Sequence, residues 1–547
     1  MSTAQITPTY TGTVQSMTIG AQQRGAPQVE EIKERFPHIK VSDIDAIVDR
    51  MLLIGPPGIG KTERIYELSI REAIEKAREQ GKEFRLWCEY VDTPYCREKY
   101  GWLCNDEETR GISMCQENYQ PPDINNRSNQ FIFVDIRDLL SYVDKGSNEA
   151  KNLLSSMINS PSDFYVFQRI IAPHLRPEDI QIPNLKKSTE TPGISFDIPT
   201  PLAIMTLPGI HGVLFIDELT NLPSPIHASM YFSIIQEREI GLGNKLSDKI
   251  KIVAAGNPSN WSTAAITAEN LPEPLINRMV VFYIDPPTVH EWLDYMSRKG
   301  LLNESVMAYL LVAPGALLVT ESELEKIREL EHTYGRPINF NTPRSWTILS
   351  AILNTPQIRK LVDIYRSGAG GNEETMARIQ LESIVYGTIG PIRGREFMIY
   401  LKATPDPPTE ILADPEKYLE KYANEMSTAS ETEASEKLSK LIISLFSLGK
   451  YVAEKYATEP DRAKAENELR ESAEKIARLI TAIFSGKHPR IIPELVAPLI
   501  YGVLSYRGER RDEITTRILG ELVKNPQLRA SKYFMLIYRV LQRRERR

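Results

Sequence analysis

One octapeptide, GPPGIGKT (Gly55 to Thr62), constrains the fold more than any other stretch of the chain. It follows an apolar run, MLLI (51–54), and opens TERIYELSIREAIEKAREQ (62–80), where apolar residues recur at helical spacing. A glycine-rich loop between a buried strand and a helix gathers backbone N–H groups at the positive end of the helix dipole. Phosphate oxygens suit such a concavity. The pattern G-x-x-x-x-G-K-[ST] is complete, so Gly55, Pro56, Pro57, Gly58, Ile59, Gly60, Lys61, Thr62 and Glu63 form the candidate nucleotide-binding segment. Lys61 is placed to reach the β- and γ-phosphates, and the Thr62 hydroxyl to bind Mg²⁺.

Around this loop short apolar runs alternate with helical patterns, which predicts a parallel α/β sheet. Five strands are expected: 51–54, FIFVDIRD (131–138), GVLFIDE (212–218), KIKIVAAGN (249–257) and MVVFYID (279–285). An insertion over 81–130 interrupts the alternation, and an irregular, proline-containing stretch over 176–209 carries Lys186 and Lys187. After Pro286 and Pro287 the strand signals stop and helical periodicity runs to about residue 400. ATPDPPTEILADP (403–415) reads as a linker to a second helical region. The expected organisation is a flexible arm or docking strand over 1–34, an α/β core over 35–286, a helical unit over 287–402 and a C-terminal helical domain over 403–547. No internal repeat is visible.

A chain of 547 residues is too long for one core. The formal charge of -6 argues against a surface that coats nucleic acid, while leaving room for a local basic groove. There is no basic-plus-apolar leader pattern, and the longest apolar stretch, Ser305 to Val319, is short for a membrane span and broken by Pro314 and Gly315. A soluble cytoplasmic protein is expected. All four cysteines, Cys88, Cys96, Cys104 and Cys115, lie in the insertion. None of their spacings is the tight one of a zinc knuckle, so zinc, reduced thiols and disulfides all stay open.

GVLFIDE is an apolar strand ending in two carboxylates. Asp217 would complete a Mg²⁺ shell, and Glu218 would orient and polarise an attacking water. In AAGNP, Asn257 closes the next strand and is either a phosphate or water contact or simply a turn residue before Pro258. Arg278, in LPEPLINRMVVF, and Arg344, in NTPRSW, are either surface arginines or the positive charge that phosphoryl transfer requires.

Taken in order, GPPGIGKT, GVLFIDELTN, IVAAGNP, LPEPLINRM and TPRSW resemble the Walker A, Walker B, sensor 1, arginine-finger and sensor 2 elements of MoxR-type AAA+ ATPases. RPEDIQIP, MTLPG, QEREIGLGNKLSD and EWLDYMSRKGLLNESVMAYLL are similar too, so the resemblance spans roughly 40–400. It implies an ATP- and Mg²⁺-dependent ring, usually a hexamer, with residues 287–402 as the lid. Lys61, Thr62, Asp217, Glu218, Asn257 and Arg344 would act in cis, and Arg278 on the neighbour's nucleotide. It also implies remodelling of a protein complex, often with a von Willebrand factor A domain partner. A hairpin before sensor 1 would come from REIGLGNKLSDK, turning at Gly241 to Asn244. The insertion and the region after 403 depart from the family pattern. NKLSD (244–248) is one residue too long for a guanine-reading motif, which favours ATP over GTP. Two other functions remain: a nucleic-acid motor using Lys186, Lys187, Lys245 or the terminal RRERR (543–547), and a nucleotide-gated scaffold without turnover.

Overall fold

The computed structural model describes residues 37–529, apart from 106–111, 116–118, 120, 123–128, 181, 185–194, 223–224, 242, 259–270, 272, 369, 488, 490 and 507–510. The arm, Lys186, Lys187 and RRERR therefore lie outside the described residues.

The first half builds one sheet of eight strands: β1 (His38–Lys40), β2 (Met51–Ile54), β3 (Glu83–Leu86), β4 (Gln130–Asp135), β5 (Phe164–Ile171), β6 (His211–Asp217), β7 (Ile250–Gly256) and β8 (Val280–Asp285). Their order is β1-β8-β2-β7-β6-β5-β4-β3, and every neighbouring pair runs parallel. The expectation of five strands is corrected to eight. The largest change is β5, FYVFQRII, which lies between β6 and β4, so the 131–138 strand is one place further from β6 than five strands would allow. That strand is also shorter than expected, because Asp135 caps a helix beginning at Ile136.

Burial explains the pattern. All four residues of β2 are buried, and β6 and β7 are almost wholly buried, as strands covered on both faces by crossover helices must be. Helix α1 (Lys61–Glu79) presents Ile65 and Leu68, then Ile70, Ala73, Ile74 and Ala77, to this core at mostly three- and four-residue spacing, while its other face stays polar. Each of the leucine and isoleucine side chains removed from water contributes about 1.5–3 kcal/mol before the cost of ordering it.

Two further strand pairs are antiparallel. Ile182–Asn184 pairs with Ser195–Asp197 in the stretch expected to be irregular. Glu239–Ile240 pairs with Asn244–Lys245, which forms the expected hairpin before β7 and puts Asn244 in a strand rather than in the turn.

The buried apolar cluster around the sheet ends at Ile284, and a second begins at Val289. Between them lie Pro286 and Pro287, after which Thr288 and Glu291 form a capping box that starts α2 (Val289–Lys299). The second cluster includes α3 (Glu304–Val312), α4 (Pro343–Leu353), α5 (Glu431–Thr458) and α6 (Val496–Leu504), and continues to Leu528. Residues 403–415, expected as a linker, are packed into it. Ile411 is wholly buried, and buried Asp406 accepts hydrogen bonds from Tyr418 (3.0 Å) and Tyr422 (2.5 Å) and pairs with Lys440 (2.6 Å). Among the described residues, no helix is long and apolar enough to cross a membrane.

Candidate functional site

The strand order sets the carboxyl ends of β2, β7 and β6 side by side at the middle of the sheet. Gly60, at φ 95°, turns the loop after β2 into α1 through a backbone region that only glycine enters at little cost. A Cβ at Gly60 would meet nothing within 4 Å, so the space above the loop is open. A Cβ at Gly58 would come within 3.0 Å of both Arg344 Cβ and Thr342 Oγ1, so the loop leans on the first turn of α4. Thr342 caps that helix, Pro343 occupies its first turn, and the Trp292 indole of α2 donates to the Pro343 carbonyl at 3.1 Å. Sequence and packing together therefore fix where Arg344 projects.

A cavity of about 870 Å³ opens between these elements, a size that suits a ligand of nucleotide dimensions. Pro57 to Glu63 line one wall, Arg169, Asp217, Glu218 and Asn257 the sheet side, and Arg344 the side facing α4. The first N–H groups of α1 have no intrahelical acceptors, which leaves that wall rich in donors.

Lys61 is only 8 % exposed. Its ammonium donates to the carbonyls of Gly55 (2.5 Å) and Pro56 (2.9 Å) and to Asn257 Oδ1 (3.3 Å). Burial pushes it down to about 7; the Asp217 carboxylate opposes that shift and the Arg344 guanidinium adds to it. Its hydrogen bonds thus end on neutral oxygens, and anionic phosphate oxygens would hold its charge better.

Thr62 Oγ1 donates to Asp217 Oδ2 at 3.0 Å, joining residues 155 positions apart in the chain. A hydroxyl and a carboxylate converging on the cavity wall are the hard oxygen donors that Mg²⁺ takes, and with the open loop they fit a metal–triphosphate ligand. Glu218 follows at φ 59°, which turns its side chain out of the strand line, while its N–H bonds Asp217 Oδ1 at 3.0 Å. For a residue other than glycine that conformation costs of order 1–2 kcal/mol and is typical of functional sites. Asn257 is held by its own N–H, which donates to Thr220 Oγ1 at 2.8 Å.

No protein-family model matches this chain, and no curated protein does.

Lys61, Thr62, Asp217, Glu218, Asn257 and Arg344 are thus gathered at one cavity. Gly55 and Pro56 lie behind it and hold Lys61. Arg278 is not among the lining residues: its guanidinium donates to the Pro274 carbonyl at 2.5 Å and lies 4.7 Å from the Phe232 ring centroid. Glu63 lines the cavity and also pairs with Lys299 of α2 at 2.8 Å. Trp102, from the insertion, covers that lysine at 4.6 Å.

Arg169 was missed by sequence reasoning. It sits on β5 and reaches Asp217 Oδ2 through Nε (3.0 Å) and Nη2 (2.6 Å). The one available signal was an arginine, beside Gln168, within a largely apolar strand.

The cysteines pair as Cys88–Cys96 and Cys104–Cys115, each with Cα atoms 5.2 Å apart. Of the three readings open for them the structure adopts the disulfides, and sulfurs so joined leave no thiolate for zinc. Among the described residues, no group of three or more His, Cys, Asp or Glu side chains is arranged to hold a metal ion.

Proposed function

We propose that the chain is a MoxR-type AAA+ ATPase, with residues 35–286 as its ATPase core, 287–402 as a helical lid and 403–547 as a further helical region. The observation that carries the reading is the 3.0 Å contact between Thr62 and Asp217 beside buried Lys61. Two motifs distant in sequence meet where a nucleoside triphosphate would need them.

ATP would lie with its phosphates along the loop from Gly58 to Thr62, within reach of Lys61 and Arg344. Thr62 and Asp217 would hold Mg²⁺, which when bound neutralises charge on the β- and γ-phosphates. Glu218 orients a water for in-line attack and accepts its proton, while Asn257 steadies that water or the γ-phosphate. Arg278, outside this cavity, serves the neighbouring subunit of a homo-oligomeric ring, taken as a hexamer. The work done is remodelling, maturation or assembly of a protein complex in the cytoplasm, with a von Willebrand factor A domain protein as a candidate partner.

Lys245, exposed on the hairpin, supports a second reading as a nucleic-acid motor. Steady-state ATPase activity of the purified protein, alone and with single- or double-stranded DNA, separates the two. Turnover that is lost in Glu218→Gln and indifferent to DNA supports a protein remodeller. Strong DNA stimulation supports the motor, and no turnover in any condition would sink both.

A further inference from the structure

Asp217 Oδ2 accepts three hydrogen bonds, one from Thr62 and two from Arg169. Under the nucleotide reading this same carboxylate is the protein's acidic metal ligand. A divalent cation could not take that oxygen while both guanidinium nitrogens remain on it, because the acceptor positions are filled and two cations would crowd one carboxylate.

Arg169 has open space beside it. Its side chain is 34 % exposed, whereas that of Asp217 is 11 % exposed, and it lines the same cavity as Lys61 and Thr62. Strand register pairs Arg169 with Phe215, two residues before Asp217, so the side chain must run along the sheet to reach the carboxylate. The long arm that reaches Asp217 can instead turn into the cavity.

We infer that Arg169 is the resident counter-cation of Asp217, which a divalent metal arriving with nucleotide must displace, and that the freed guanidinium then binds a phosphate oxygen. The inference rests on the nucleotide reading of the cavity. Its consequence is an exchange of one cation for another at a single oxygen, so Asp217 never faces a triphosphate without a positive partner. Arg169 is therefore a binding and positioning residue. It sets how strongly nucleotide affinity depends on metal.

The test measures binding of a fluorescent ATP analogue carrying an N-methylanthraniloyl group, in EDTA and in excess Mg²⁺. For Arg169→Gln the ratio of the two dissociation constants should exceed the wild-type ratio by roughly tenfold, about the worth of one charge-assisted pair. Binding in EDTA should carry most of that loss. Arg169→Lys, which keeps the charge, should recover part of it. In an Asp217→Asn background, Arg169→Gln should leave the ratio unchanged. A ratio unmoved by Arg169→Gln, or an equal loss with and without Mg²⁺, overturns the exchange and leaves Arg169 only a structural tether. Failure of the wild type to bind the analogue under either condition overturns the nucleotide reading itself, and this inference with it.

Discussion

Lys299 Nζ lies 2.8 Å from Glu63 Oε1, tying α2, the first helix of the second apolar cluster, to the first turn of the helix that opens at Lys61. Glu67 stands 3.6 Å from the same ammonium, and burial holds its carboxyl above the usual range against that attraction. A double-mutant cycle with Lys299→Met and Glu63→Gln, read by urea unfolding, should give a coupling of about 0.5–1 kcal/mol, since the pair is partly solvated. A coupling indistinguishable from zero would mean that the pair is not held in solution.

Lys61→Ala and Glu218→Gln should separate binding from chemistry. Lys61→Ala removes the cavity's buried ammonium and should weaken ATP binding by roughly a hundredfold. Glu218→Gln should leave affinity nearly unchanged and lower turnover by about 10²–10⁴-fold. Equilibrium binding and single-turnover hydrolysis on the same preparations check both; undiminished turnover in Glu218→Gln would remove its role as base.

Arg278 tests the ring. Arg278→Ala and Glu218→Gln should each be inactive alone, yet mixing them should restore some ATPase activity, because some interfaces then pair an intact arginine with an intact carboxylate. No recovery at any mixing ratio, with subunit exchange verified, would exclude action in trans.

His211 begins β6, and its buried Nε2 has no hydrogen-bond partner among the described residues. Burial, then the nearby Lys249 ammonium, push its imidazole from 6.5 down to about 4. The unfolded chain therefore binds the extra proton first, and stability contributed by neutral His211 is lost as pH falls through that window. His211→Leu should flatten the pH dependence of the urea midpoint between about pH 6.5 and pH 4. An unchanged slope would show that the imidazole is as protonatable in the fold as outside it.

The disulfides close loops spanning 8 and 11 residues. Chain-entropy arguments give each about 2–3 kcal/mol, so reduction with a phosphine should lower the melting temperature by several degrees. Thiol titration of the protein denatured without reductant should find none of Cys88, Cys96, Cys104 and Cys115 free. Four titratable thiols, or stoichiometric zinc, would contradict the pairing.

Most of the cavity was legible in the sequence because its residues sit in short patterns whose geometry is local. GPPGIGKT carries its own turn, and FIDE and AAGN mark the ends of adjacent buried strands. The sheet's full width was not legible. FYVFQRII is a short apolar run interrupted by Gln168 and Arg169, and length and periodicity alone do not distinguish such a run from a buried helix segment. His38–Lys40 is too short to announce itself at all. Arg169 belongs to no motif, since its role arises only when β5 and β6 lie side by side. Four cysteines permit three pairings, and spacing does not choose among them. The 403–415 stretch looked like a linker because its prolines were visible, while its partners Tyr418, Tyr422 and Lys440 come from helices further along the chain.

That packing has a mechanical consequence. Among the described residues, Ile411 and Asp406 pack 403–415 into the cluster that runs from Val289 to Leu528, so this stretch is held by the helices on either side of it. Any rotation of those helices would carry 403–415 with them. The stretch is thus a rivet between the helices before and after it, not a pivot.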